Sequence, residues 1–470
     1  MKPRLLFLSF FFLITPLIYC QNNKMQILQG SWLGRVTTNQ FSMRVLLRFE
    51  VSKDKVKGYL DSPDQGLKDL AMDKVSTIQD SVFVDATSLN AGIIFKGRIL
   101  SNDSVIDGMW GGALSLRLSR TNYVFTLKTN LNPEIKGYKI IKLIESSPIK
   151  DQQSTGLCWS FATTSFIETE AIRLGKSPVV LSPIFYVTPT VIDKAEKYIR
   201  MNGKSYFGPG DLTFSLLSAY KNYGAIPQIV YSGKKDSTSR YDHGDMDNAL
   251  LEKAKYYVNS GRGNMTTEGY RKDFSEILSN TLGMAPEIFM YHQKQYTPIS
   301  FAKEMVGINP DDYVEITSFT HHPFYSKFIL EIQSNWNNNY YLNLPLNDFS
   351  NVVDYALLHN FSVCWDGDIY EGYNDGFAVL NDSIKTITQQ MRQIAFDNYT
   401  TTDVHNMHII GIAENDKGKR FYIIKNSSDA KNCGGYLYMS KEYLLLKTIS
   451  VMVNKGAFPK EIKNKLGFAL

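Results

Sequence analysis

Cysteine and histidine are scarce in this chain: 470 residues contain four of the first and seven of the second, so each can be weighed singly as nucleophile, base or ligand. A dominant charge is also missing. Fifty-one basic against 46 acidic residues leave a formal charge of +5, and no basic cluster interleaves with aromatics, which argues against a nucleic-acid partner. Beyond the first twenty residues no apolar run is long enough to cross a bilayer. What remains is the composition of a soluble globular protein, at a length that exceeds one ordinary core and predicts two domains.

The first twenty residues stand apart. Lys2 and Arg4 precede the apolar stretch Leu5 to Ile14, and the chain turns polar after Cys20, which predicts a secretory signal over 1–20 and a periplasmic, cell-surface or secreted product. Leu17-Ile18-Tyr19 fits neither cleavage consensus well, so Cys20 is either the last residue removed or a lipid-modified first residue that anchors the protein. Three cysteines then remain. In an oxidising compartment Cys364 and Cys433 either pair, leaving Cys158 as the odd thiol, or stay unpaired and buried.

From Gln29 to Tyr123 short alternating runs recur between turn residues: 31–36, 43–51, 56–60, 82–86, 93–99, 105–110 and 113–118. They predict an antiparallel β-barrel or sandwich domain over 25–127. Gly30-Ser31-Trp32-Leu33-Gly34 resembles the strand whose tryptophan plugs one end of lipocalin-like barrels, and Asp61 to Gly66 reads as a turn. Asn130 to Pro133 marks a linker over 128–138.

Asp151-Gln152-Gln153-Ser154-Thr155-Gly156-Leu157-Cys158-Trp159 is the most informative stretch. A polar loop runs into a segment, 158–174, whose apolar residues have helical spacing, so Cys158 opens a helix. There the unpaired N–H groups and the positive end of the helix dipole favour thiolate over thiol. Gln152, six positions earlier, is close enough in a turning loop for its amide to join the Cys158 N–H around a developing oxyanion. The other reading of a lone cysteine is a small buried hydrophobe.

Glutamine, a late glycine and Cys-Trp resemble the nucleophile segment of papain-like cysteine peptidases, most closely the bleomycin hydrolase and aminopeptidase C branch. The resemblance spans 139–470. It implies an α+β fold with a helical lobe and a β lobe, with the polar, helix-rich 241–296 as an insertion. It also implies hydrolysis of peptide bonds through a thioester acyl-enzyme, aminopeptidase activity, a homo-oligomer (hexameric in that family), and no metal or organic cofactor.

A thiolate needs a base that takes and returns a proton, and histidine suits. His405 and His408 share a strand-like run, and parity lets only one meet Cys158. The residues alone leave the choice open; the resemblance, through the glycine at 411, selects His405. It also implies Asn426 as the residue that orients the imidazole, with Ser428 where the family carries a shielding tryptophan. Within Gly208-Pro209-Gly210, Gly210 would let substrate backbone lie along the cleft, and Pro459 to Leu470 would form a C-terminal arm in it. A metal site at Asp403, His405 and His408 lacks a fourth ligand, and His321-His322 reads as a surface loop. The functional alternatives are a catalytically silent surface binding protein whose barrel carries the ligand site, and acyl transfer by the same triad.

Overall fold

The computed structural model describes residues 25–37, 42–52, 55–63, 67–87, 93–100, 103–123, 135–235, 239–260, 266–292, 294–374, 376–381, 386–428 and 435–467. The expected signal segment with Cys20, the linker residues 128–134 and Cys433 lie outside them. The chain falls into two compact units, 1–127 with 290–295, and 128–289 with 296–470.

The first unit is one antiparallel sheet of nine strands: β1 (Gly30–Thr37), β2 (Ser42–Ser52), β3 (Lys55–Ser62), β4 (Leu67–Ala71), β5 (Lys74–Ile78), β6 (Ser81–Ala86), β7 (Ile93–Ile99), β8 (Val105–Trp110) and β9 (Leu114–Thr121). Their order is β4-β3-β2-β1-β9-β8-β7-β6-β5. The first and last strands pair at the centre, and β4 and β5, consecutive in the chain, are the two open edges, so the sheet curls into a half-barrel without closing. Alternation selects the inner face: Val82, Val84 and Ala86 are buried on β6, Leu116 and Leu118 on β9.

Seven of these strands are legible as alternating runs. The two that are not, β4 and β5, are short and polar, as edge strands tolerate. Asp61 is buried on β3 rather than exposed in a turn; Arg48 donates to it through Nε at 2.8 Å and the Asp69 N–H at 2.7 Å. Trp32 is fully buried, its indole N–H donates to the Leu28 carbonyl at 2.9 Å, and the Arg120 guanidinium lies 4.5 Å from its ring.

The second unit opens with β10 (Tyr138–Leu143) and then α1 (Cys158–Arg173), α2 (Val187–Arg200) and α3 (Thr213–Tyr223). The expected insertion contains α4 (Gly244–Asn259), α5 (Thr267–Leu282) and the hairpin β11 (Phe289–Tyr291) and β12 (Lys294–Tyr296), of which residues 290–295 count with the first unit. The β lobe follows: α6 (Pro298–Phe301), β13 (Tyr313–Thr317), β14 (Lys327–Ile329), β15 (Tyr340–Asn343), α7 (Leu346–Leu358), β16 (Val363–Gly367), β17 (Tyr373–Asn374), β18 (Phe377–Ala378), α8 (Gln389–Asp397), β19 (His405–Asn415), β20 (Arg420–Lys425), β21 (Tyr436–Ser440), α9 (Lys441–Lys447), β22 (Thr448–Asn454) and α10 (Lys460–Leu466). The unit is therefore α+β, a helical lobe and a β lobe.

Strand β19 is the spine of the β lobe. One side pairs with β16 over its first half and β10 over its second, the other with β20. Gly411 is required where β10 crosses, since a Cβ there would meet the Lys142 carbonyl oxygen at 2.5 Å. Around it Ile316, Trp365, Met407, Ile409 and Tyr422 form one core. Of the arm expected from Pro459 to Leu470, the described part is α10, whose Ile462 and Leu466 belong to this core, while 468–470 lie outside the described residues.

Truncating Trp32 removes a buried indole, its hydrogen bond and the surface beneath Arg120. W32A should destabilise the first unit by about 3–5 kcal/mol, read as a lower urea midpoint for the β signal with Cys158 alkylation in the second unit unchanged.

Candidate active site

Helix α1 is buried along fourteen of its sixteen residues and begins at Cys158 after Leu157, which supplies no capping side chain. The first-turn N–H groups are therefore left to whatever lies over the thiol. Cys158 is 8% exposed, and its Sγ lies 3.9 Å from Asn406 Oδ1. His405, the first residue of β19, acts on the same sulfur and lowers its pKa. Its Nε2–H donates to Asn426 Oδ1 at 2.8 Å, which leaves Nδ1 for the thiol. Asn426 follows the end of β20 and is 8% exposed.

Burial by itself pushes the Cys158 thiol up. The hydrogen bond and charge of His405, with the N–H groups of Asn406 and Trp159, outweigh it and bring the thiol below its ordinary value. Burial depresses the imidazole, but Cys158 and then Asn426 raise it above its ordinary value. Each group favours the charged form of the other. Cys364 shows the contrast. It is a free thiol touching the hydroxyls of Thr163 and Thr213, and burial pushes it up to about 12.

The loop before Cys158 is pinned at several points. Gln152 donates from Nε2 to the Thr155 carbonyl at 2.7 Å, accepts the Ser427 hydroxyl on Oε1, and donates its N–H to the Ser427 carbonyl at 2.9 Å. The glutamine is thus tied to the residue after Asn426, with one amide hydrogen to spare. A Cβ at Gly156 would meet Pro209 at 2.8 Å, so the glycine permits the 208–210 loop to close on the nucleophile turn. The Trp159 indole donates to the Pro209 carbonyl at 3.0 Å. Buried Lys194 holds that loop through the Gly208 and Gly210 carbonyls and pairs with Asp211 at 2.8 Å. The Gly210 carbonyl is thereby committed to Lys194.

His408 also reaches α1, two turns further on, where Nδ1 lies 3.0 Å from Ser165 Oγ. What parts the two histidines is distance along the helix. Asp403 receives the Ser334 hydroxyl, so Asp403, His405 and His408 do not converge. His321 and His322 instead flank Glu331 through Nε2 at 3.1 and 2.7 Å, the one group of three metal-capable side chains that comes together among the described residues. Gln393 Nε2 lies 3.0 Å from His321 Nδ1 while its Oε1 accepts from Thr320, so Nδ1 is the acceptor and Nε2 carries the proton. That tautomer makes the trio a loop clasp.

Sequence reasoning missed Asn406 and Asp366. The first is masked by its neighbour His405, and the second lies on β16 with no local motif around it.

The model of the Peptidase C1-like family matches residues 211–468, a span that contains His405 and Asn426 and begins after Cys158. Aminopeptidase E of Lactobacillus helveticus is 21% identical over 66% of this chain and 82% of its own length. Aminopeptidase W of Lactobacillus delbrueckii subsp. lactis is 22% identical over 78% and 91%. Among solved structures, PepW from Lactobacillus rhamnosis superposes with a TM-score of 0.56 at 19% identity, covering 69% of this chain and 84% of that one, a likeness of fold.

The coupled shifts predict a pH signature. Alkylation of Cys158 by iodoacetamide should titrate below the pH of an ordinary thiol, and Cys364 should not react in the folded protein. H405A removes the partner that lowers the thiol, so the profile should move to higher pH and the neutral rate fall about tenfold or more.

Proposed function

This chain belongs to the Peptidase C1-like family, cysteine-type peptidases with a papain-like fold, and on that premise we propose that it is an exported aminopeptidase that hydrolyses peptide bonds through a thioester. The observation that carries the reading is the Cys158–His405–Asn426 constellation, a thiol below its ordinary pKa and an imidazole above its own, joined to an amide oxygen at 2.8 Å. The aminopeptidase part rests on the likeness to aminopeptidases E and W.

In this mechanism the Cys158 thiolate attacks the carbonyl carbon of the substrate's first peptide bond. The oxyanion is met by the Cys158 N–H and the free amide hydrogen of Gln152. His405 gives its proton to the departing amine, and a thioester is left on Cys158. His405 then takes a proton from water, which attacks the thioester and restores the thiolate–imidazolium pair. Asn426 holds the ring in the tautomer that both steps need. No step requires a metal or organic cofactor.

Export through residues 1–20, with Cys20 either the last residue removed or a lipid-modified first residue, rests on the charge and hydropathy pattern of that segment. Trp32 beneath Arg120 supports a lipocalin-like reading of the N-terminal half-barrel.

Two measurements test the proposal. A peptide mixture with free amino termini should lose residues stepwise, and the same mixture acetylated should not; internal cleavage of both would replace aminopeptidase by endopeptidase. C158A should abolish turnover, and Q152A and N426A should each lower kcat on the order of 10²-fold. Residual turnover in C158A equal to the parent would remove the thiol from the mechanism.

A further inference from the structure

Asp366 and Glu315 are buried and Asp403 is half-buried, without a basic side chain to neutralise any of them. Asp366, on β16, is 3% exposed; Oδ1 accepts from Asn406 Nδ2 at 3.4 Å, and Oδ2 has no partner. Asn406 is the residue whose own amide oxygen lies 3.9 Å from Cys158 Sγ, so a single side chain separates the sulfur from this carboxylate. Asp403 is brought alongside because the Val404 N–H donates to the Gly367 carbonyl at 3.2 Å, and Glu315 is 3% exposed nearby. Burial, then the charges of Asp403, Glu315 and Cys158, hold Asp366 well above the ordinary carboxylate range, and burial raises Asp403 to about 6. Asp211, by contrast, has its cation, Lys194 at 2.8 Å. Among the described residues no lysine or arginine forms an ion pair with Asp366, Asp403 or Glu315.

An idle, buried carboxylate oxygen beside a second acid calls for a cation that donates hydrogen bonds. A metal ion fits poorly, because these acids are not among the groups of three ligand atoms that come within 4.8 Å of one another. An ammonium group fits on position. In a peptide's first residue the α-nitrogen lies roughly 2.5 Å from the scissile carbonyl carbon, and that carbon approaches the sulfur to about 3–3.5 Å before attack. The ammonium is thus delivered next to Asn406, where Asp366 waits behind it. A peptide with a blocked or extended amino end would set a neutral amide against the acids and leave them unpaired.

We propose that Asp366, assisted by Asp403, is the subsite that receives the free α-ammonium group of the substrate's N-terminal residue. The proposal rests on the aminopeptidase reading above and names the residues that enforce it. Asn406 links the two centres, bonded to the thiol on one side and to the ammonium acceptor on the other.

The test uses the full chain with D366N and D403N, a free aminoacyl-coumarin amide and its N-acetyl counterpart. The ratio of kcat/KM for free over blocked substrate should fall about 10²-fold in D366N and less in D403N, mostly through KM. Leucine amide should slow iodoacetamide alkylation of Cys158 in the parent and not in D366N, and N-acetyl-leucine amide should slow it in neither. Should D366N fail to fold, D403N carries both readouts. An unchanged ratio and unchanged protection, in variants whose Cys158 still alkylates and beside a parent that prefers free amino ends, would overturn the subsite alone. A parent with no preference for free amino ends would overturn the aminopeptidase reading and the subsite with it.

Discussion

Burying α1 on all sides leaves its serines, threonines and glutamates little water, and most of them find partners within the helix or on a neighbouring element. The partners are what assemble the site. Glu168 accepts from the Ser147 hydroxyl, Lys150 and the Leu181 N–H. Ser165 bonds His408 and accepts from Lys425, which also donates to the Ser147 carbonyl. Lys425 immediately precedes Asn426, and His408 lies three residues after His405. The polar groups of the helix therefore fix the two strand ends that deliver the histidine and the asparagine to its N-terminus. Taking one partner from such a buried set leaves a charge uncompensated, at about 3–5 kcal/mol.

The same logic separates the two described thiols. Cys158 and Cys364 are both buried, and burial acts on both in one direction. Only the partners differ. Hydroxyl groups leave Cys364 protonated; an imidazole and the N–H groups of Trp159 and Asn406 lower the Cys158 thiol. Reactivity is thus a property of the contact, and the acids behind Asn406 extend the principle from the nucleophile to what lies next to it.

The loops obey a steric condition as well. Gly156 must lack a side chain for Pro209 to approach, and Gly411 for β10 to cross β19. Gln152 and Ser427 are 275 residues apart, yet two hydrogen bonds join them. That clasp lets a loop of the helical lobe and the end of a β-lobe strand move as one piece.

Local signals carried a good part of this. The alternating runs of the N-terminal unit, the helical spacing after Cys158 and the polar loop in front of it are patterns of period two and 3.6, written into neighbouring residues, and so were legible without coordinates. The short polar edge strands β4 and β5 were not, because their pairing comes from β3 and β6 and from no alternation of their own. The choice between His405 and His408 needed the position of each along α1. Asp366 was invisible for a stronger reason: an aspartate carries no mark of its burial, and its meaning comes from cross-strand register with Asn406, a relation between positions 40 residues apart. Sequence by itself determined the periodicities and the turn chemistry that make the elements. Tertiary structure alone decided which polar groups face each other in the absence of water, because that depends on distances no local pattern encodes.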